Sequence, residues 1–209
     1  MTRFRYASMS RRAALTAAAL AAMATVAGCT AKTGGASEGD MAKGAPEGAK
    51  VTVVEYASIT CGHCAVWNEQ VWPEIKTKYV DNNKIRFVFR EFPTPPQDIA
   101  VAGFLIARCA GDDKYFDVVH DIMASQGEWM NGVPPRTTLY RAAAAAGLSK
   151  EQTDACISDE KAIEAMSNRI KAGIDAGVTG TPTFLVNGVK VADSSLSGLS
   201  QAIDEALAK

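Results

Sequence analysis

Apolar residues fall along the chain in successive patterns, and their order predicts the architecture before any single residue is weighed. Val51 to Tyr56 is a β-branched and apolar run with one acid, Glu55, inside it, and it stops at Ala57-Ser58, which predicts a buried strand. From Cys61 to Tyr79, Val66, Trp67, Val71, Trp72 and Ile75 recur at helical spacing, with Pro73 placed to kink the helix midway. Lys84 to Arg90 sets Ile85, Phe87 and Phe89 on one face and predicts a second strand. Strand, helix and strand within about 40 residues make a βαβ unit, whose strands run parallel through a right-handed crossover. The loop carrying Cys61 then sits at the carboxyl end of the first strand, the edge of an open α/β sheet where chemistry tends to be placed.

From Gln97 to about Gly177 the period is helical only, through Ile99 to Cys109, Tyr115 to Ala124, Leu139 to Ala146 and Lys161 to Ala176, and Ser149-Lys-Glu-Gln152 fits a capping box. Thr183-Phe-Leu-Val186 and Val189-Lys-Val191 then flank Asn187-Gly188, a two-residue hairpin whose turn positions both need positive φ. Leu196 to Ala208 closes the chain as a helix. The fold class is α/β: a sheet built from 50–96 and 177–209, split by a helical insertion over 97–176.

The N-terminus has a different character. Arg3, Arg5, Arg11 and Arg12 precede an Ala/Leu/Val-rich run from Ala13 to Gly28, with no acid nearby, which describes a bacterial export signal over 1–28. At 16 residues the apolar run falls short of the roughly 17–25 that a permanent membrane span needs. Val26-Ala27-Gly28-Cys29 resembles the lipobox of bacterial lipoproteins, in which the signal is cleaved before the cysteine and that thiol is acylated; the alternative is an incidental cysteine beside an ordinary cleavage site. Ser10-Arg11-Arg12 looks like a twin-arginine motif, although Ala14 stands where such motifs carry a bulky apolar residue. Residues 30–49 are small and polar without apolar periodicity, so 29–49 is expected to be a lipidated cysteine and a flexible tether.

Charge and cysteine count refine this picture. The 209 residues carry 22 basic and 23 acidic side chains, and because the signal holds four arginines and no acid, its removal takes the net charge from −1 to about −5. An acidic chain lacks the electrostatic footprint of a nucleic-acid binder. Five cysteines are an odd number, which in an oxidising compartment requires at least one with a separate fate. Lipidation of Cys29 would supply it.

Cys61-Gly62-His63-Cys64 lies after a strand and at the start of a helix, the context of a redox C-x-x-C. The helix N-terminus offers partial positive charge and free N–H groups, which favour a thiolate at Cys61, and His63 can add to that stabilisation. Stabilising the reduced form makes the disulfide a stronger oxidant. Cys64, one turn deeper, is expected to be the less exposed thiol. A structural zinc site is the competing reading, but it needs a second close ligand pair, and Cys109, Cys156 and His120 do not provide one; no metal is expected. Cys109 and Cys156 both fall in the helical insertion, as buried free thiols or, as an oxidising compartment favours, as a disulfide. His120 reads as a solvated helix residue, and Trp67, Trp72 and Trp129 as packing residues.

Taken together, Val53-Val54-Glu55-Tyr56-Ala57-Ser58-Ile59-Thr60-Cys61-Gly62-His63-Cys64, the Arg90-Glu91-Phe92-Pro93 strand end, the helical insertion and Gly177-Val178-Thr179-Gly180-Thr181-Pro182-Thr183-Phe184 resemble the DsbA-like thiol:disulfide oxidoreductases, thioredoxin folds with an inserted helical domain. The resemblance covers about 41–209. It implies that Cys61 is the attacking cysteine, Cys64 the buried one, Pro182 a cis-proline, Thr181 a presenter of backbone groups to bound peptide, and Glu55 a buried acid that relays a proton to Cys64. It also implies that no cofactor is required, that the clients are reduced exported polypeptides in the periplasm, and that a DsbB-like quinone-linked membrane partner reoxidises the pair. Gly-His between the cysteines departs from the Pro-His common in DsbA oxidases and is similar to eukaryotic disulfide isomerases, which leaves oxidase, and reductase or isomerase, as competing directions. A non-catalytic peptide-binding lipoprotein is a third reading.

Overall fold

A computed structural model describes residues 37–209. The export signal expected at 1–28, the lipidation expected at Cys29 and the first part of the expected tether lie outside the described residues. Five strands, β1 (Met41–Gly44), β2 (Thr52–Ala57), β3 (Arg86–Glu91), β4 (Thr183–Val186) and β5 (Val189–Lys190), form one sheet in the order β1-β3-β2-β4-β5. β2 and β3 pair in parallel, as the crossover requires, and the other neighbours are antiparallel. Asn187 and Gly188 turn the β4–β5 hairpin at φ 48° and 82°.

Alternation along β2 explains why both faces of the sheet are covered. Val53 and Ala57 join the larger core, with Phe87, Phe89, Phe184, Trp67, Trp72 and Phe104. Val54 and Tyr56 point the other way, to Val88, Leu185 and Val178. Each such side chain contributes about 1.5–3 kcal/mol on burial, so a one-residue slip of β2 would exchange the two sets and is strongly disfavoured. Glu55 lies between Val53 and Ala57 and therefore faces the larger core.

The helix expected over Cys61 to Tyr79 is instead three segments: α1 (Gly62–Gln70), α2 (Trp72–Ile75) and a π-helical turn at Lys76–Val80. Pro73 falls in the first turn of α2, where its missing N–H costs nothing; inside a continuous helix its ring would meet the carbonyl four residues back. The break still keeps the aromatics inward, with Trp67 packed 4.6 Å from Phe184 and Trp72 4.5 Å from Phe87, ring centre to ring centre.

The insertion comprises α3 (Gln97–Cys109), α4 (Asp112–Ala124), α5 (Gln126–Met130), α6 (Pro135–Ala145), α7 (Lys150–Ile157) and α8 (Glu160–Asp175), and α9 (Leu196–Ala208) closes the chain. The Ser149–Gln152 capping box opens α7. The five residues of α5 have no apolar periodicity and were not expected as a helix. Buried Glu91, at the end of β3, ties the insertion to the sheet: it accepts from Arg108 of α3, Tyr115 of α4 and Arg169 of α8. Among the described residues no helix is long and apolar enough to cross a membrane.

Two expectations are corrected. Residues 37–49 are not tether: Met41 is buried, β1 pairs with β3 from Met41↔Phe89 to Gly44↔Arg86, and Asp40 bridges Arg90. Four residues of edge strand are held by backbone bonds to a neighbour, which apolar periodicity does not reveal. His120 is only partly exposed rather than fully solvated. It packs 5.7 Å from Trp72 and 6.3 Å from Phe116, and burial pushes its pKa down to about 4.

Candidate active site

Cys61 occupies the N-cap of α1 with extended backbone (φ −85°, ψ 117°), so its side chain folds back over the first turn and accepts from the Cys64 N–H at 3.4 Å. That turn has no acidic residue, and the full positive end of the helix acts on the sulfur. The loop leading in is fixed by hydroxyls: Thr60 Oγ1 donates to the Thr94 carbonyl at 2.7 Å, and Ser58 Oγ accepts from the Thr94 N–H at 3.0 Å.

Antiparallel pairing of Tyr56 with Thr183 places the start of β4 beside the end of β2. This brings the cis Thr181–Pro182 peptide against the reactive loop, with Cys61 Sγ 3.4 Å from the Thr181 carbonyl. Thr181 Oγ1 is the one buried side-chain polar atom without a hydrogen-bond partner among the described residues.

The two thiols are free and differ sharply. Cys61 is half-buried, and its pKa is lowered to about 5, first by the hydrogen bond from the Cys64 thiol, then by the Cys64 and His63 backbone N–H groups, against the opposing effect of burial. Cys64 is fully buried and its pKa is raised, because its proton is held in the bond to Cys61 and because burial and the charge of Glu55 oppose a second anion. Glu55 is 3% exposed, and desolvation, followed by repulsion from Cys61, raises its pKa to about 8. At neutral pH the trio therefore holds one sulfur anion, one thiol and one largely protonated carboxyl.

The structure thus brings Cys61, Cys64, Glu55, Thr181 and Pro182 to one place, with His63 exposed at the start of α1. Cys109, at the end of α3, and Cys156, in α7, lie apart from this site and are bonded to each other, their Cα atoms 6.0 Å apart. Among the described residues no His, Cys, Asp and Glu cluster could hold a metal ion. One residue at the site was not expected: Gln126, first in α5, donates from Nε2 to the carbonyls of Ile59 at 2.7 Å and Cys61 at 3.2 Å. It stands 65 positions from Cys61 in a segment without periodicity, and no sequence signal points to it.

A sheet of mixed direction, with a C-x-x-C at a helix N-terminus opposite a cis-proline, defines a thioredoxin fold, and the helices between its halves make it the DsbA-like form. A family model described as Thioredoxin matches residues 36–205, and the chain belongs to that family. A protein of Rickettsia bellii, provisionally named protein-disulfide oxidoreductase, is 38% identical over 172 residues, covering 81% of this chain and 65% of the relative, so the chain spans just under two thirds of that protein's length. The crystal structure of Wolbachia pipientis alpha-DsbA1 is 27% identical with a TM-score of 0.75, covering 83% of this chain and 94% of the other. That of a protein-disulfide isomerase from Novosphingobium aromaticivorans shares the fold, at 23% identity and a TM-score of 0.67 over 81% of this chain and 99% of the other.

Proposed function

We propose that this protein is a cell-envelope thiol:disulfide oxidoreductase that works as a dithiol oxidase on exported polypeptides. The carrying observation is the asymmetry of the pair: Cys61 ionises near pH 5, whereas the pKa of buried Cys64 is raised. A sulfur that is stable as an anion is a good leaving group, and an enzyme whose reduced form is stabilised in this way oxidises its partners.

In the oxidised enzyme a substrate thiolate attacks Cys61 Sγ. The Cys61–Cys64 bond breaks, a substrate–Cys61 disulfide forms, and Cys64 departs and takes a proton. Glu55, whose carboxyl burial holds protonated above the ordinary carboxylate range, supplies that proton. A second substrate thiolate then attacks the substrate sulfur of the mixed disulfide. Its disulfide forms, and Cys61 leaves as the thiolate held by the Cys64 N–H and thiol. The substrate has lost two electrons, and the enzyme holds them as thiolate and thiol. Thr181 and Pro182 border the sulfur and supply the edge along which an extended polypeptide lies. A quinone-linked membrane oxidoreductase, like DsbB, accepts the two electrons and restores the disulfide.

The oxidised protein is expected to accelerate refolding of a reduced, unfolded disulfide protein in a glutathione-free assay. Loss of acceleration in Cys61→Ser supports the reading. Equal rates for the two proteins would overturn it and leave peptide binding without catalysis. Gly62-His63 keeps reduction or isomerisation as the second direction, and the redox state of Cys61 trapped in cells decides between them. Export by the 1–28 signal and lipid attachment at Cys29 complete the proposal, with the enzyme held at a membrane facing the periplasm. Cys29→Ser is expected to move the protein from the membrane fraction to the soluble fraction; unchanged fractionation would refute the anchor.

A further inference from the structure

We infer that Gln126 is a positioning residue for the redox centre, a clamp through which the helical insertion sets the properties of a cysteine carried by the sheet. The inference rests on the redox role of the Cys61–Cys64 pair, in whichever direction it works. Gln126 uses both hydrogens of one amide, on Ile59 O and Cys61 O, the carbonyls on either side of Thr60. The Cys61 carbonyl also accepts the Ala65 N–H at 3.1 Å, so the clamp and the first helical bond of α1 converge on one oxygen. Together they fix the backbone between Ile59 and Cys61, whose dihedral angles decide whether Sγ reaches the Cys64 N–H.

The arm that holds Gln126 is itself held. Ser125 Oγ donates to the Asp121 carbonyl at 2.8 Å and accepts from Arg141. Arg141 also pairs with Glu128, and Trp129 Nε1 donates to Thr138 Oγ1 at 2.7 Å, so α5 is fastened to both α4 and α6. The donor end of the amide faces the loop that bears the thiolate, and Oε1 lies 4.0 Å from where a Cβ on Gly62 would stand.

The test compares Gln126→Met, of similar length but with no donor, with Gln126→Glu, of the same shape but with acceptors and charge facing two carbonyls. Thiolate absorbance of reduced protein gives the Cys61 titration. Equilibration with glutathione gives the constant for reduction of the pair, and the melting midpoint of the oxidised form checks the fold. Gln126→Met is expected to raise the Cys61 pKa and to lower the reduction constant about three- to tenfold, the size of one or two lost hydrogen bonds, with Gln126→Glu shifted further the same way. A Met variant with wild-type titration and constant overturns the clamp, as does a shift in the Glu variant alone, which would reflect only distant charge. If the Met variant melts early, a folded Glu variant with wild-type values overturns it as well. A wild-type Cys61 titrating near 8.5 would instead remove the redox reading on which the clamp stands.

Discussion

Glu55 holds a proton whose affinity depends on the charge at Cys61. Its carboxyl is raised to about 8 mainly by burial and further by the Cys61 thiolate, so oxidation of the pair, which removes that charge, makes Glu55 more acidic. The folded state retains a proton that the unfolded state releases near the ordinary carboxyl value of about 4.3, so this group's contribution to stability is present below that value and is lost as pH rises towards 8. Cys61 works in the opposite sense and only in the reduced protein: its depressed pKa contributes stability above the unfolded thiol value of about 8.5, which is lost as pH falls through 5. In the oxidised form Cys61 carries no charge, and Glu55 can be tested there without it. Glu55→Gln is expected to flatten the fall in melting midpoint that sets in above about pH 4.5 and to raise the midpoint at mildly alkaline pH by about 3 °C or more. An unchanged pH profile would mean that Glu55 is not the titrating group. Of the site residues, Cys61, Cys64 and Pro182 were legible because spacing and flanking pattern expose them. The burial of Glu55 could only be expected, since an acid in an apolar strand also suits an edge. Gln126 was invisible, because its meaning lies in two carbonyls far away in the chain.

At the scale of elements, contact between α3 and the reactive loop matters most. Gly103 lies inside α3, and a Cβ there would collide with Ile59 Cδ1 and press on Leu139 and Ile122, so the absence of a side chain lets the helix sit directly on the loop preceding Cys61. Gly103→Ala gains helix propensity of about 1 kcal/mol but overfills a packed contact, a cost of about 1–3 kcal/mol. Ile59 is fully buried and has little room to yield, so net destabilisation of up to about 2 kcal/mol is expected in denaturant unfolding, with a shift in the Cys61 titration as the displaced Ile59 moves the loop. Stabilisation by the substitution would show that Ile59 yields freely. Periodicity found α3 and the other long helices but not the small interior position at their crossing, because a glycine in a helical pattern looks the same whether it faces solvent or another helix. It likewise missed β1, whose four residues are ordered by pairing with β3.

For the whole molecule, the two cysteine pairs lie apart, one bonded within the insertion and one free at the end of β2. Cys109 and Cys156 close a loop of 47 residues within the insertion, joining the end of α3 to α7. In the chain-entropy model such a loop is worth about 4 kcal/mol, largely through the unfolded state. The double variant Cys109→Ser, Cys156→Ser is expected to lose roughly 2–4 kcal/mol in denaturant unfolding while keeping the Cys61 titration within a few tenths of a unit, since neither cysteine touches the site. A large shift in that titration would show that the insertion transmits strain to the thiolate. The sequence by itself determined the fold class, the order of the elements, the C-x-x-C at a helix start and the proline before the returning strand. These are written in local spacing and in residues whose backbone preferences are narrow. Only the tertiary structure decided the rest: that Glu55 is desolvated, that the Thr181 carbonyl meets Cys61 Sγ, that residues 37–49 belong to the fold, and that Gln126 reaches the loop. Desolvation and long-range hydrogen bonds depend on what the rest of the chain brings to a point in space, and no window of sequence contains that information.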